Sequence, residues 1–230
     1  MTAMHKLSQN SVTDRAGGLT DVVFDLGHVL VDWDPRYLYR ERFGGDTQAM
    51  EAFLAKVCSP AWHHTVDRGR PWEEAIAERI ARFPEHAGHI RAYREHWPRM
   101  FAGDLPESVQ LLHGLHAAGL RLHALSNYPA EPVEFLYERF GWMSLFEHVI
   151  ISGRLGIAKP ESAIYAHLLD TIERPASRCL FIDDREDNVI AARAAGIDAV
   201  HFTAGARLAA ELTARGLLAD GYQGSDSPLL

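Results

Sequence analysis

The stretch Asp21-Val22-Val23-Phe24-Asp25-Leu26-Gly27-His28-Val29-Leu30-Val31-Asp32-Trp33-Asp34 constrains the fold of this chain more than any other. Three apolar residues, two of them β-branched, run into a carboxylate and soon a glycine, the pattern of a buried strand ending at a chemically loaded loop. Open α/β sheets place their reactive groups at such strand ends. The rest of the chain is therefore searched for strands that finish in the same way.

Four more appear. Leu120 to Leu125 delivers Ser126-Asn127, and His148 to Ile151 runs into Ser152-Gly153, followed by a loop Gly156 to Glu161 that carries Lys159. Arg178 to Ile182 ends in Asp183-Asp184, and Ala199 to Phe202 closes the series. Amphipathic segments separate them: Pro106 to Ala118, Glu131 to Phe140, the stretch to Ile172, Asn188 to Ala195 and Ala206 to Ala214. The alternation predicts an α/β fold, a doubly wound, Rossmann-like parallel sheet of about five strands with right-handed crossovers.

Between the first strand and the rest the chain changes character. Asp34-Pro35 marks a break, because the residue before proline is biased out of the helical region. From there to Gly103, the segments Asp46 to Val57, Pro71 to Phe83 and Ala87 to Phe101 space apolar residues three and four apart. The expected organisation is a core of residues 19–34 and 104–216, a helical cap over 35–103 that acts as a lid, and loose tails over 1–18 and 217–230.

Composition narrows the function. With 47% apolar and 23% charged residues the chain has the balance of a globular protein, and a net charge of −8 without a basic run argues against nucleic acid. No apolar run approaches the ~20 residues of a membrane span and the first residues carry no signal-peptide core, so no membrane partner and a cytoplasmic location are expected. Cys58 and Cys179 lack metal-ligand or redox spacing. Nothing indicates an oligomeric state.

In a parallel sheet, Asp25, Ser126-Asn127, Lys159 and Asp183-Asp184 converge on one edge. Each alone has a plain reading: Asp25 or the acidic pair as a helix or turn cap, Ser126-Asn127 as the start of a turn, Lys159 as a solvated charge. Four such features in order at strand ends point to a site. The set resembles the haloacid dehalogenase superfamily, whose motifs are a nucleophilic Asp, a Ser or Thr, a Lys and an acidic pair. The insertion after the first motif matches one of its cap types. The wording Phe-Asp-Leu-Gly-x-Val-Leu-Val-Asp, Leu-Ser-Asn, Gly-x-x-Lys-Pro-Glu and Asp-Asp-x-x-x-Asn is similar to the branch of small sugar-phosphate phosphatases acting on hexose 1-phosphates.

The resemblance implies a Mg2+-dependent hydrolysis of a small-molecule phosphate ester, with Asp25 as nucleophile. Asp25, the carbonyl of Gly27 and Asp184 would hold the metal, with Asp183 behind or alternating. Ser126 and the Asn127 backbone would donate to a phosphoryl oxygen, Lys159 would hold nucleophile and phosphate, and Asn188 would orient the acidic pair. Trp62 and His64, with His63 and Arg68, are expected to face the pocket from the cap and read the substrate. One departure stands out: Gly27 occupies the position where the superfamily's phosphatases carry a second Asp as general acid. His28, Asp32 and Asp34 are candidates by proximity. Two other readings stay open: a metal-independent 2-haloacid dehalogenase, and a non-enzymatic binding or regulatory module with an incomplete site.

Overall fold

The computed structural model describes residues 18–219 and 222. Strand β1 (Asp21–Phe24) lies at the centre of a five-stranded, wholly parallel sheet with β4 (Arg121–Ser126), β5 (His148–Ile151), β6 (Cys179–Asp183) and β7 (Asp198–His201), in the order β5-β4-β1-β6-β7. β1 pairs with β4 on one side and β6 on the other, with Phe24 level with Ala124 and Ile182. The register brings Asp25, Ser126 and Asp183 to one rim. Strand order reverses at β1, where open sheets leave a crevice.

Side-chain alternation divides the core into two layers. Val22 and Phe24 pack with Leu112 and Leu115 of α6 (Pro106–Ala117) and Leu208 and Leu212 of α11 (Gly205–Ala214). Val23 and Phe181 point the other way, onto Ile164, Tyr165 and Leu168 of α9 (Ser162–Ile172) and Val189 and Ala192 of α10 (Glu186–Ala194). Helix α7 (Val133–Arg139) and the short α8 (Ser152–Leu155) complete the core.

The segment over 35–103 is helical, as its periodicity predicts: α1 (Arg36–Arg42), α2 (Thr47–Lys56), α3 (Pro60–Asp67), α4 (Trp72–Arg82) and α5 (Ala87–Glu95). Asp46 caps α2 by accepting from Ala49 N, and Ser59 caps α3 by accepting from Trp62 N, with Pro60 in its first turn. A helix running from Ala87 to Phe101 does not form. Helix α5 stops at Glu95, a tight turn follows over Trp97–Met100, where Pro98 lacks the donor a continuing helix needs, and Phe101–Asp104 becomes strand β3. β3 pairs antiparallel with β2 (Val31–Trp33), so the two connections to the helical segment form a stalk rather than separate loose hinges.

At the C-terminal end, Leu217 and Leu218 are buried against the core, which moves the expected tail boundary outward. The expected tails over 1–18 and 217–230 otherwise lie outside the described residues, apart from Gly18, Ala219 and Tyr222. No helix among the described residues is long and apolar enough to cross a membrane.

Candidate active site

Lys159 organises the rim. Its side chain is almost wholly buried, and Nζ donates to Asp183 Oδ2 (2.7 Å) and Leu125 O (2.8 Å) while lying 3.0 Å from Asp25 Oδ1. Burial disfavours the ammonium, but the carboxylates of Asp183 and Asp25 outweigh it and hold its pKa above the ordinary lysine value. The backbone of Lys159 is fixed by Asn127, whose Oδ1 accepts from Lys159 N and whose Nδ2 donates to Lys159 O, both at 2.9 Å. The Asn127 side chain therefore positions the lysine, and its own backbone N–H is what remains for a ligand.

Asp25 is buried at the tip of β1. Its Oδ1 accepts from Leu26 N (2.7 Å) and faces Lys159, while Oδ2 has no hydrogen bond among the described residues. Burial raises the Asp25 acid, Lys159 opposes this, and Asp183 and Asp184 add to the rise. Asp183 is saturated: besides Lys159 it accepts from Asn188 Nδ2 at 2.9 and 3.1 Å and from Arg185 N at 2.8 Å. Asn188 thus bonds to Asp183 of the acidic pair, and no hydrogen bond joins it to Asp184 among the described residues. Asp184 is half-buried, and burial followed by the neighbouring Asp183 raises its acid.

Each of Asp25, Asp183 and Asp184 offers a carboxylate oxygen, and these lie within 4.8 Å of one another. Three carboxylates beside one another offer the hard oxygen donors that fit Mg2+. Asp183, tied to Lys159 and Asn188, suits a supporting role better than a primary ligand. Gly27 lines the same cavity in a tight loop where His28 N donates to Val31 O (2.8 Å) and Val31 N to Leu26 O (2.9 Å).

A cavity of about 950 Å3 opens between this rim and the helical segment. Ser126, buried at the end of β4, lines its floor with Asp25 and Lys159. The roof contains His63, His64 and Asp67 of α3, and the walls include Trp33, Leu54, Tyr93, Trp97 and Phe101. Trp62 is not among the lining residues. It lies under the roof, 2% exposed, with Nε1 donating to Ala75 O (3.3 Å) and its ring edge-on to Trp72 and Tyr93. On a helix the neighbour at i+1 points about 100° away, so Trp62 packs inward while His63 turns to the cavity. Substrate contact by Trp62 is corrected to a structural position. Arg68 reaches the core instead, pairing with Glu161.

Of the acids considered beside Asp25, Asp32 does not line the cavity, since both its oxygens accept from Tyr37 OH at 2.9 Å. Asp34 does, but accepts from Arg36 N (2.8 Å). His28 is exposed at the mouth, edge-on to Trp33, with a left-handed φ of 57°. Asp67 was not legible in advance. It is buried, lines the cavity, and carries an acid that burial pushes up to about 7. Its only sequence signal is the i,i+4 spacing from His63, which places both on one face of α3.

The helical roof is tied to the core at this point. Ser152 Oγ donates to Asp67 O (2.6 Å) and accepts from Tyr128 N (3.0 Å), and Trp97 Nε1 donates to Tyr128 OH (2.9 Å). Gly69, with φ 87°, turns so close to Gly153 that a Cβ there would meet the Gly153 carbonyl at 2.7 Å. Only glycine permits that approach.

Known proteins of similar sequence and shape agree with this architecture. The sesquiterpene phosphatase of Aspergillus oryzae is 26% identical over 195 residues, covering 79% of this chain and 88% of that protein. The phosphoglycolate phosphatase of Rhodospirillum rubrum is 30% identical over 128 residues, 56% of this chain, and the chain spans half the length of that relative. A HAD family enzyme of Bacteroides thetaiotaomicron superposes with a TM-score of 0.66 at 21% identity, covering 82% of this chain and 95% of that one. The haloacid dehalogenase-like hydrolase family model matches residues 22–196, a span that takes in every strand-end group from Asp25 to Asn188, and the chain therefore belongs to that family.

Proposed function

We propose that the protein is a Mg2+-dependent phosphatase that hydrolyses small phosphomonoesters through an aspartyl-phosphate on Asp25. The observation that carries this reading is the buried Lys159 ammonium between Asp25 and Asp183, with Asp184 completing a carboxylate cluster at the floor of the cavity. A metal-free haloacid dehalogenase would have no use for three clustered carboxylates. A phosphatase needs them, because a carboxylate nucleophile must approach a phosphate dianion.

Asp25, the Gly27 carbonyl and Asp184 would hold Mg2+, with Asp183 in support through Lys159 and Asn188. The bound cation supplies charge neutralisation between nucleophile and phosphate. Leu26 N and Lys159 hold Asp25 Oδ1, leaving Oδ2 to attack phosphorus in line. Lys159, the Ser126 hydroxyl and the Asn127 backbone N–H line up the phosphoryl oxygens. The segment over 35–103 acts as the cap, excluding water, and His64 reads the organic group.

Support also comes from relatives with phosphatase names, and a related HAD enzyme of Bacteroides thetaiotaomicron has been crystallised with magnesium and inorganic phosphate. A hexose 1-phosphate suits the family branch. The aromatic and aliphatic cavity walls, and the sesquiterpene phosphatase among the relatives, favour testing isoprenoid phosphates beside it. The test is a panel of phosphorylated metabolites with and without Mg2+, on the wild type, Asp25→Asn and Asp184→Ala. Hydrolysis that needs Mg2+ and both carboxylates is expected. Activity unchanged by chelation and by Asp184→Ala, or chloride release from 2-haloacids, overturns the reading.

A further inference from the structure

Phosphoester hydrolysis requires a proton for the departing oxygen, and the core offers none at Gly27. In-line displacement places that oxygen on the side of phosphorus opposite the nucleophile. With Asp25 on the floor of the cavity, the departing oxygen faces the roof.

The charged and histidine residues lining the roof and its entrance are Asp34, Arg36, Glu51, His63, His64 and Asp67; burial pushes the acids of Cys58 and Tyr93, which line it too, well up. Arg36 donates to both Glu51 oxygens (2.6 and 2.8 Å) and to Asp34, so these three satisfy one another. The bond from Arg36 holds the Glu51 acid below its usual value, which leaves it without a proton to give. Burial pushes His63 down to about 4, so its ring is neutral at pH 7.

Asp67 differs from all of these. Its side chain is 9% exposed, and Oδ1 has no hydrogen-bond partner among the described residues. His63 Nε2 stands 3.3 Å away, but out of line for a hydrogen bond. The backbone that carries the carboxyl is fixed, because Ser152 Oγ donates to Asp67 O and the Gly69 turn is wedged against Gly153. A buried carboxyl oxygen without a partner is destabilising, and an occupant of the cavity that bonds to it would relieve that cost. Burial favours the protonated form, His64 and Lys159 act against it, and Tyr93 and Tyr128 line the cavity beside it.

We propose that Asp67 is the general acid for the departing oxygen and then the general base for water, and this assignment rests on the phosphatase reading above. In the first half-reaction the Asp25 Oδ2–phosphorus bond forms as the phosphorus–oxygen bond to the organic group breaks. The Asp67 proton passes to that oxygen, and the alcohol leaves. In the second, the Asp67 carboxylate takes a proton from a water that attacks phosphorus. The bond to Asp25 breaks, and inorganic phosphate and protonated Asp67 are restored. The acid missing from the strand loop is thus carried by the cap, so that chemistry waits on closure.

The test compares the full-length wild type with Asp67→Asn, His64→Gln and His28→Ala on a series of aryl and alkyl phosphates, with Mg2+, each rate normalised to the folded fraction by circular dichroism. In kcat/KM, which reports only the steps up to release of the alcohol, Asp67→Asn is expected to stay within a few-fold of wild type on the best leaving group. On alkyl esters it is expected to lose about 100-fold or more, so that log kcat/KM falls more steeply with leaving-group pKa. His28→Ala is expected to run parallel to the wild type, and His64→Gln to change rates from one organic group to another without a trend in leaving-group pKa. A uniform loss in Asp67→Asn, or steepening in either histidine variant instead, overturns the assignment. If the wild type hydrolyses no phosphate ester, the phosphatase reading falls first; hydrolysis with an unchanged slope in Asp67→Asn removes only the acid.

Discussion

Replacing Lys159 by Met tests the electrostatic design of the rim, because it removes one charge and keeps nearly the same length. The ammonium sits 2.7 Å from Asp183 Oδ2 and 3.0 Å from Asp25 Oδ1 with its side chain 1% exposed. Asp183 keeps Asn188 and Arg185 N, and Asp25 keeps Leu26 N, but neither retains a contacting cation. Removing one partner of a buried ion pair costs about 3–5 kcal/mol. At roughly 2–4 °C per kcal/mol for a domain of this size, the melting temperature should fall by about 6–20 °C. The loss carries a sign with pH. Without Lys159 the Asp25 acid moves further up in the folded protein, so the native state binds more protons than the unfolded chain above the ordinary carboxylate value. Stability then falls as pH rises, and the deficit is smaller near pH 5 than near pH 8. Urea melts followed by circular dichroism, in EDTA at both pH values, measure this directly. On the proposed reading Mg2+ would bind only the folded carboxylates, so it should restore more stability to the variant than it adds to the wild type. A loss below about 1 kcal/mol, or one that is the same at both pH values, refutes the argument that Lys159 neutralises two buried carboxylates.

Three further outcomes follow from particular contacts. A Cβ at Gly27 would meet no atom within 4 Å, so Gly27→Asp should fold with an unchanged melting temperature and, in the Asp67→Asn background, recover part of the rate on poor leaving groups, read as kcat on an alkyl phosphate. Trp62→Ala should cost about 3–5 kcal/mol, because a wholly buried ring is lost, and lower all substrates alike; His64→Ala should instead reorder a substrate panel with little change in melting temperature. Asp21, fully buried, accepts from Arg121 Nε and lies 2.9 Å from His123 Nε2, and although burial alone would raise its acid, the bonds from His123, Thr20 and Arg121 hold it low. Its contribution is therefore present above the ordinary aspartate value and lost as pH falls toward its depressed one, so Asp21→Asn should lower stability near pH 7 and flatten the acid limb of a stability profile.

The sequence by itself determined the sheet and its reactive rim. Runs such as Val22-Val23-Phe24 and Leu180-Phe181-Ile182 are apolar on both faces, which only a strand covered by helices on both sides can satisfy, and parallel pairing then carries Asp25, Ser126 and Asp183 to one edge. Local chemistry was equally readable at Asp46 and Pro71, which open segments of helical spacing and stand at the starts of α2 and α4. What tertiary structure decided is whatever depends on the angle between two bodies of chain. Trp62 and His63 are adjacent and both plausible pocket residues, and only the seating of α3 on the aromatic cluster turns one inward and the other to the cavity. The two connections at 31–33 and 101–104 carry too short a pattern to be recognised as strands until each finds the other. Asn127 reads as a phosphate donor through its backbone, and only the folded chain shows that its side chain is committed to Lys159, 32 residues away. Asp67 resembles any helix-end aspartate in the sequence. Its burial, its missing hydrogen bond and its place opposite Asp25 exist only once the helical segment has closed on the sheet, because a carboxyl's proton affinity is set by surroundings that the chain assembles from distant parts.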